Sequence, residues 1–160
     1  MDELERVMEA LRGLRAPISL DEYDLHRQIA HILEEHGLGF EHEKQLMPRC
    51  RIDFIAGGVG IEVKRGRPNK TNLIRQTERY LSSGRLSAII IVCEQGFDMP
   101  ASILGLPCRT LSLRRLWGLA NPAGETGGPC AAPVLPPLED NVSPDIPIKQ
   151  GEPGDVPPYL

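Results

Sequence analysis

The residues of this chain best suited to chemistry are two carboxylates and a lysine close together in sequence: Asp53, Glu62 and Lys64. They belong to two short segments, 51–56 and 59–65, which alternate polar and apolar residues on either side of a Gly-Gly pair. Alternation interrupted by two glycines predicts a β-hairpin, because glycine readily adopts the positive φ of a tight turn. The sequence therefore predicts that the three charged residues lie on neighbouring strands.

A two-residue loop made by Gly57 and Gly58 would pair the strands so that Asp53 stands directly opposite Glu62. Side chains alternate between the faces of a strand, so Lys64 would share the polar face with both carboxylates. The opposite face would be a core surface carrying four apolar side chains: Ile52, Phe54, Ile61 and Val63.

This pairing predicts a cation site. Two carboxylates opposite one another would have Cβ atoms roughly 5 Å apart, and like charges in that position are destabilising. A divalent cation would compensate, and Mg2+ is commonly held by one or two carboxylates together with substrate phosphates. The ammonium of Lys64 would stabilise negative charge on a phosphate or orient an attacking water.

The same residues carry a family resemblance. Asp53 and the run Glu62-Val63-Lys64, on two adjacent strands, resemble the signature of the PD-(D/E)XK nuclease superfamily, which has the restriction-endonuclease-like fold. Ile52 stands where the name of the motif has proline. The resemblance implies a metal-dependent phosphodiester hydrolase.

A second motif extends the resemblance to the RecB-like branch of that superfamily. Gln76 and Tyr80 match its Q-x-x-x-Y pattern and, four residues apart on a helix, would lie on one face. The resemblance covers about residues 20–113. It implies that both side chains orient groups around Lys64 and the phosphate, which makes five candidate catalytic residues: Asp53, Glu62, Lys64, Gln76 and Tyr80.

The resemblance also implies the ligands of a Mg2+ or Mn2+ ion. Asp53, Glu62 and the main-chain carbonyl of Val63 would hold it. Members of the superfamily often draw a further acid from a helix before the hairpin, and Glu22 is the nearest match. Glu22 also fits the last position of a capping box that begins at Ser19, so a purely structural role stays open. The weaker acidic candidates are Glu34, Glu35 and Glu43.

A basic block adjoins the acidic residues. Residues 64–85 contain seven lysines and arginines against one glutamate, although the whole chain has a formal net charge of −4. Such a block would attract a phosphate backbone without reading its sequence, and the alternative is an ordinary solvated helix face. The candidate nucleic-acid-binding residues are Arg65, Arg67, Lys70, Arg75 and Arg79.

Hydrophobic periodicity places these residues in an α/β fold. Residues 2–14 and 22–36 repeat apolar residues at helical spacing, and a third helix is expected after Asn69, to about residue 83. Strands are expected over residues 40–46, in the two hairpin segments, in the run 87–93, which is apolar from Ala88 onward, and over residues 108–113, with a short helix at 99–104. The order predicts an α/β sandwich with a mixed sheet, and the resemblance implies that it is the α/β/α sandwich of the restriction-endonuclease-like fold, with the mixed sheet at its centre.

Composition bounds the remaining expectations. Residues 1–120 form the predicted nuclease-like domain, and residues 121–160 are expected to be a disordered acidic tail, because ten of the 15 prolines lie there.

The four cysteines form no C-x-x-C pair, which argues against a zinc or iron–sulfur site. There is no apolar run of about 18 residues and no secretory signal pattern, so a cytoplasmic protein without a membrane span is expected.

The function predicted from the site residues and the resemblance is a Mg2+- or Mn2+-dependent nuclease. The resemblance implies that its substrate is DNA, while the residues themselves do not distinguish DNA from RNA. The alternative is a module of the same fold that binds nucleic acid or a protein without cleaving. A core of 120 residues has little room for a separate specificity domain, so a homodimer or a partner protein is a candidate source of specificity.

Overall fold

The computed structural model describes residues 1–15 and 21–119. Every helix and strand predicted around the candidate site is present, with boundaries within a few residues of expectation. The helices are α1 (Glu3–Leu11), α2 (Glu22–Glu35), α3 (Lys70–Ser82) and α4 (Leu113–Leu116). The strands are β1 (Phe40–Met47), β2 (Cys50–Ala56), β3 (Val59–Lys64), β4 (Ala88–Cys93), β5 (Ser102–Ile103) and β6 (Leu106–Ser112).

The strands form one six-stranded mixed sheet in the order β1-β2-β3-β4-β6-β5. β1, β2 and β3 are antiparallel neighbours, whereas β3, β4 and β6 run parallel to one another. The α3 crossover between β3 and β4 makes that parallel pairing possible. The carboxyl ends of β3, β4 and β6 therefore meet at one edge of the sheet, beyond Lys64.

Helices cover both faces of the sheet, which separates two apolar cores. The first core joins α1 and α2 to one face, and its strand residues include Phe54, Ile61 and Ile90. The second core joins α3 to the other face and includes Ile52 and Ile89. β4 is buried along its whole length because it serves both cores, as its uninterrupted apolar run predicted.

The turn between β2 and β3 follows the sequence prediction. Gly57 and Gly58 both have positive φ, 56° and 80°, and Phe54 is paired with Ile61. Ile52 departs from the prediction that it shares the core face of Phe54, because it packs in the second core and Phe54 in the first. The alternation of side chains along β2 is thus broken at Asp53.

The predicted short helix at 99–104 is wrong. The chain instead forms β5, which pairs with β6 across a tight turn at Leu104 and Gly105. Both turn residues have positive φ, 51° and 76°, a combination that favours a two-residue hairpin over a helical turn. The connection between β4 and β6 therefore adds an edge strand to the sheet.

The end of the described chain returns to its beginning. Trp117 packs against the first core, and its indole Nε1 donates a hydrogen bond to the carbonyl of Leu14 at 3.1 Å. The predicted tail, 121–160, lies outside the described residues. Within residues 1–15 and 21–119, no helix is both long and apolar enough to cross a membrane.

Candidate active site

The centre of the site is the carboxylate of Glu62, a residue only 3% exposed. Its neighbours in β3, Ile61 and Val63, pack into the first core, so Glu62 projects from the other face toward α3. One oxygen, Oε1, accepts hydrogen bonds from Lys64 Nζ at 2.6 Å and from Gln76 Nε2 at 2.9 Å. The structure therefore brings three of the predicted catalytic side chains into direct contact.

Asp53 joins the site through the backbone of β3. The β2–β3 ladder ends at Phe54 and Ile61, so Asp53 and Glu62 are not backbone partners as the hairpin register predicted. The Oδ2 atom of Asp53 instead accepts the N–H of Val63 at 2.7 Å. This bond replaces a backbone bond of the ladder at the point where the pairing of β2 and β3 ends. It attaches Asp53 to Val63, the residue that follows Glu62 in β3.

Gln76 and Tyr80 lie on one face of α3, as their spacing predicted. Gln76 Nε2 donates to the hydroxyl of Tyr80 as well as to Glu62. The Tyr80 hydroxyl in turn donates to the carbonyl of Arg51 at 2.9 Å. A continuous polar chain therefore links β2, α3 and β3 beneath the otherwise apolar second core.

Burial determines the electrostatics of this chain. Loss of solvent, and secondly the negative charge of Asp53, raise the pKa of Glu62, while the hydrogen bond and charge of Lys64 act in the opposite direction. Burial, followed by the charge of Glu62, also raises the pKa of the Tyr80 phenol well above its ordinary value. Tyr80 therefore keeps its proton and acts as a hydrogen-bond donor.

One oxygen of the site lacks a partner. Glu62 Oε2 is buried and accepts no hydrogen bond, although buried polar atoms are normally satisfied. A hard cation with oxygen ligands would satisfy it, and the neighbouring carboxylate of Asp53 supplies a second ligand of the right type. The two carboxylates are therefore of the donor type that would hold a Mg2+ or Mn2+ ion. The described residues contain no group of three or more histidine, cysteine or acidic side chains placed to hold a metal.

The structure places Glu22 on the surface, at the first position of α2. Asp21 is the N-cap residue, and its Oδ1 accepts the N–H of Tyr23 at 3.1 Å. Ser19, where the predicted capping box begins, lies outside the described residues. No hydrogen bond or ion pair among the described residues links Glu22 to Asp53 or Glu62. Its role as a metal ligand stays a prediction, as does that of the Val63 carbonyl.

The other acidic candidates lie apart from this chain of contacts. Glu43 has a positive φ of 51° on β1, and its carboxylate is 3.4 Å from Arg51 Nη1. Glu34 and Glu35 are exposed at the end of α2, and Glu35 lies 3.4 Å from the His31 ring.

The five predicted nucleic-acid-binding residues divide between two surfaces. Arg67 and Lys70 line a groove at the carboxyl ends of β3, β4 and β6, which we call the carboxyl-end groove. Arg75 and Arg79 line a shallower hollow on the outer side of α3, beside Leu104. Arg65 is exposed and lines neither of the two.

Sequence reasoning missed two contributors, one to the polar chain around Glu62 and one to the carboxyl-end groove. The backbone carbonyl of Arg51 anchors Tyr80, and no side-chain pattern signals a main-chain acceptor. Arg12 lines the carboxyl-end groove from the end of α1, more than 50 residues before Lys64 in sequence. Only the three-dimensional meeting of α1 with the sheet brings Arg12 to that edge.

A histidine pair lies on the other face of the sheet. His26 Nδ1 is 3.1 Å from His42 Nε2, and both rings contact Phe54, at centroid distances of 5.3 and 4.5 Å. His26 Nε2 is buried without a partner, so we infer that the proton is on Nδ1 and is donated to His42. A metal on Nδ1 would leave a buried, unpaired N–H at Nε2, so the pair suits a hydrogen bond better than a metal.

Comparison of the chain with protein-family models, with curated proteins and with solved structures gives no match. The function is therefore inferred from the site itself.

Proposed function

We propose that this protein is a Mg2+- or Mn2+-dependent nuclease that hydrolyses phosphodiester bonds of DNA, built on the restriction-endonuclease-like version of the α/β/α sandwich. The observation that carries the proposal is the buried carboxylate of Glu62. Lys64 and Gln76 share one of its oxygens, and the other is left without a partner, while the negative charge of Asp53 acts on the same carboxyl. A stable core does not need this arrangement, since a buried unsatisfied oxygen costs about 1–3 kcal/mol.

Asp53 and Glu62 would hold the ion. When bound, it would supply positive charge that polarises the scissile phosphate. Asp53 is fixed by the Val63 N–H and Glu62 by two donors, so neither carboxylate needs to reorganise before the ion binds. Such preorganisation favours catalysis because its cost is met during folding.

Lys64 would act on the substrate. It is the last residue of β3, its ammonium contacts Glu62, and its side chain is 27% exposed to solvent. From there it can move to a phosphate oxygen as charge develops, or position the attacking water. Gln76 and Tyr80 would hold Glu62 and orient the groups around Lys64, because their hydrogen bonds fix both side chains.

A cleavage assay with matched variants tests the proposal. The full chain is incubated with labelled single- and double-stranded DNA and with RNA, in Mg2+, in Mn2+ and in EDTA. Cleavage of DNA is expected with either metal and not in EDTA. Asp53→Ala should lower the rate at least about 100-fold, the scale expected for loss of a charge-stabilising group. Glu41→Ala, which removes an exposed carboxylate of β1, is the control and should cleave like the unmodified chain.

A second readout does not depend on turnover. Calorimetric titration with Mn2+ should detect binding to the unmodified chain and to Glu41→Ala, and weaker or no binding to Asp53→Ala. Cleavage that persists in Asp53→Ala would point to a contaminating nuclease. Metal binding unaffected by Asp53→Ala would remove the basis of the proposal.

The alternative is a module that binds nucleic acid or a protein without cleaving. The described residues contain no group of three or more histidine, cysteine or acidic side chains that could hold a metal ion, which favours this alternative. Lys64 also neutralises Glu62 without any metal. DNA binding without cleavage in either metal would support the module and refute the nuclease.

A further inference from the structure

The carboxyl-end groove is a cavity of about 820 Å³ at one edge of the sheet. Its walls come from the segments that follow β3 and β4, from the end of β6 and from the ends of α1 and α4. Its volume lies within the range of ligand sites in proteins, roughly 300–1,000 Å³. None of the five candidate catalytic side chains lines it, so it is a surface additional to the active site.

The lining of the groove is strongly basic. Four of its side chains are cationic and one is acidic: Arg12, Arg67, Lys70 and Arg115 against Asp98. Arg12 forms an ion pair with Glu9 at 2.9 Å, yet 54% of its side chain stays exposed. Cations from separate segments around one cavity favour a ligand with several phosphates, because one phosphate would contact only part of the set.

The groove also offers an apolar contact. Phe97 lines it, and this partly buried residue packs against the second core. A partly exposed aromatic residue among cations is the combination on which unpaired bases stack while neighbouring phosphates are neutralised. The groove therefore suits nucleotides better than an acidic peptide, which would bring charge but no flat ring.

Two hydrogen bonds place the groove beside the active site. The N–H of Glu94 donates to the carbonyl of Lys64 at 3.1 Å, and Glu94 Oε2 accepts the N–H of Gly66 at 3.0 Å. Gln95, the next residue, already lines the groove, and Arg67 is three residues beyond Lys64. Three residues span at most about 11 Å, which is the length of a few nucleotide steps.

We propose that the carboxyl-end groove binds the nucleic-acid strand next to the scissile phosphate, as a single strand whose phosphates contact Arg12, Arg67 and Lys70 and one of whose bases stacks on Phe97. This inference rests on the proposed function for the position of the scissile phosphate. It goes further by assigning two residues, Arg12 and Phe97, that no sequence motif indicated. It also assigns the substrate class at that edge, an unpaired strand.

Binding without cleavage tests the assignment. The full chain carries Asp53→Ala, and EDTA is present, so nothing is cut. Fluorescence anisotropy measures its affinity for a labelled 20-nucleotide single strand and for the matching duplex at several salt concentrations. The test variant adds Arg12→Ala and Lys70→Ala. The control adds Arg6→Ala and Lys44→Ala, because Arg6 is also on α1 and paired with a glutamate three residues earlier.

The test variant should bind the single strand about 10-fold more weakly. The salt slope, which is the slope of the logarithm of the binding constant against the logarithm of salt concentration, should fall in magnitude by about 1.4, since each of the two lost phosphate contacts contributes about 0.7. The control should keep the affinity and the slope of its parent. Phe97→Leu should weaken binding at least about 5-fold and leave the salt slope unchanged, because it removes stacking and not charge.

Three results would overturn the proposal. The first is equal affinity of the test variant and the control. The second is duplex binding that is as tight as single-strand binding and equally sensitive to Phe97→Leu. The third is a nucleoside 5′-monophosphate that binds the groove as tightly as the strand does. If the chain binds a single strand through the groove but never cleaves, the proposed nuclease function is refuted and the groove assignment stands. If the chain cleaves and the groove variants do not change the cleavage rate, the groove assignment is refuted and the nuclease function stands.

Discussion

Removal of Lys64 provides the sharpest test of how the buried carboxylate is stabilised. Glu62 is 4% exposed at its side chain, and Lys64→Met would remove one of the two donors, Lys64 and Gln76, that contact its Oε1. Breaking a buried ion pair by removing one partner typically costs about 3–5 kcal/mol. Lys64 is partly exposed and Gln76 remains, so the loss in free energy of unfolding should lie at or below the lower end of that range.

The pKa of Glu62 sets an upper limit on that loss. The variant can protonate Glu62 instead of holding an unpaired charge, which costs about 1.36 kcal/mol for each pH unit above the ordinary carboxyl pKa of 4.5. At pH 7 the limit is therefore about 3.4 kcal/mol, and we expect a loss of about 2–3 kcal/mol. Urea unfolding at pH 7 measures it.

The pH dependence has a definite sign. The folded-state pKa of Glu62 is raised above its unfolded value, and loss of Lys64 raises it further. The stability gained by protonation is therefore present at low pH and lost as the pH rises through the folded-state pKa. The loss in free energy of unfolding of Lys64→Met, relative to the unmodified chain, should therefore shrink as the pH falls below 7 and vanish near pH 4.

Two further variants make this test specific. Glu62→Gln added to Lys64→Met removes the unpaired charge and should recover at least about half of the loss. Lys44→Met, which breaks an exposed ion pair with Glu41, should cost little at any pH, because exposed pairs contribute little. The reasoning about the buried carboxylate would be refuted if Lys64→Met lost no more free energy of unfolding than Lys44→Met does. It would also be refuted if that loss did not depend on pH.

Three other substitutions test the packing around the site, each by urea unfolding at pH 7. Tyr80→Phe removes the hydroxyl that joins α3 to β2 and should cost about 1–2 kcal/mol; an unchanged midpoint would show that the hydroxyl bonds contribute nothing net. Gly60→Ala would place a Cβ 2.6 Å and 2.8 Å from two side chains of the second core, so it should cost about 1–3 kcal/mol of free energy of unfolding. Gly39→Ala is the control, because its Cβ would meet no atom within 4 Å. Equal costs for the two variants would contradict the close approach at Gly60. Leu104→Asn should stabilise by about 0.5–1 kcal/mol, because asparagine tolerates positive φ and the leucine is 60% exposed; a loss would mean that Leu104 packs more than its exposure indicates.

Much of the fold could be predicted because local signals and tertiary structure agree. The Gly57-Gly58 turn fixed the register of β2 and β3, and the apolar run of β4 announced a strand buried on both faces. The four-residue spacing of Gln76 and Tyr80 placed both on one face of α3, where they form one hydrogen-bonded chain with Glu62.

The errors arise where backbone geometry overrides the pattern. Strict alternation put Ile52 on the face of Phe54, but Asp53 uses its side chain in place of a ladder bond and the strand changes face there. Leu104 is an unusual residue at positive φ, so its turn resembled the end of a helix. Arg12 reaches the carboxyl-end groove only through the packing of α1, which no local spacing encodes.

The hydrogen bond between Trp117 and Leu14 allows the intrinsic fluorescence of the protein to report on the contact between these two segments. The chain contains a single tryptophan, and its indole is anchored to a residue 103 positions earlier, so its emission reports whether the two extremities of the described region are docked. A red shift of that emission under mild denaturant, before far-ultraviolet dichroism changes, would reveal that α1 and α4 detach first. The same indole would show, without any label, whether a ligand entering the groove beside Arg12 and Leu116 tightens that junction.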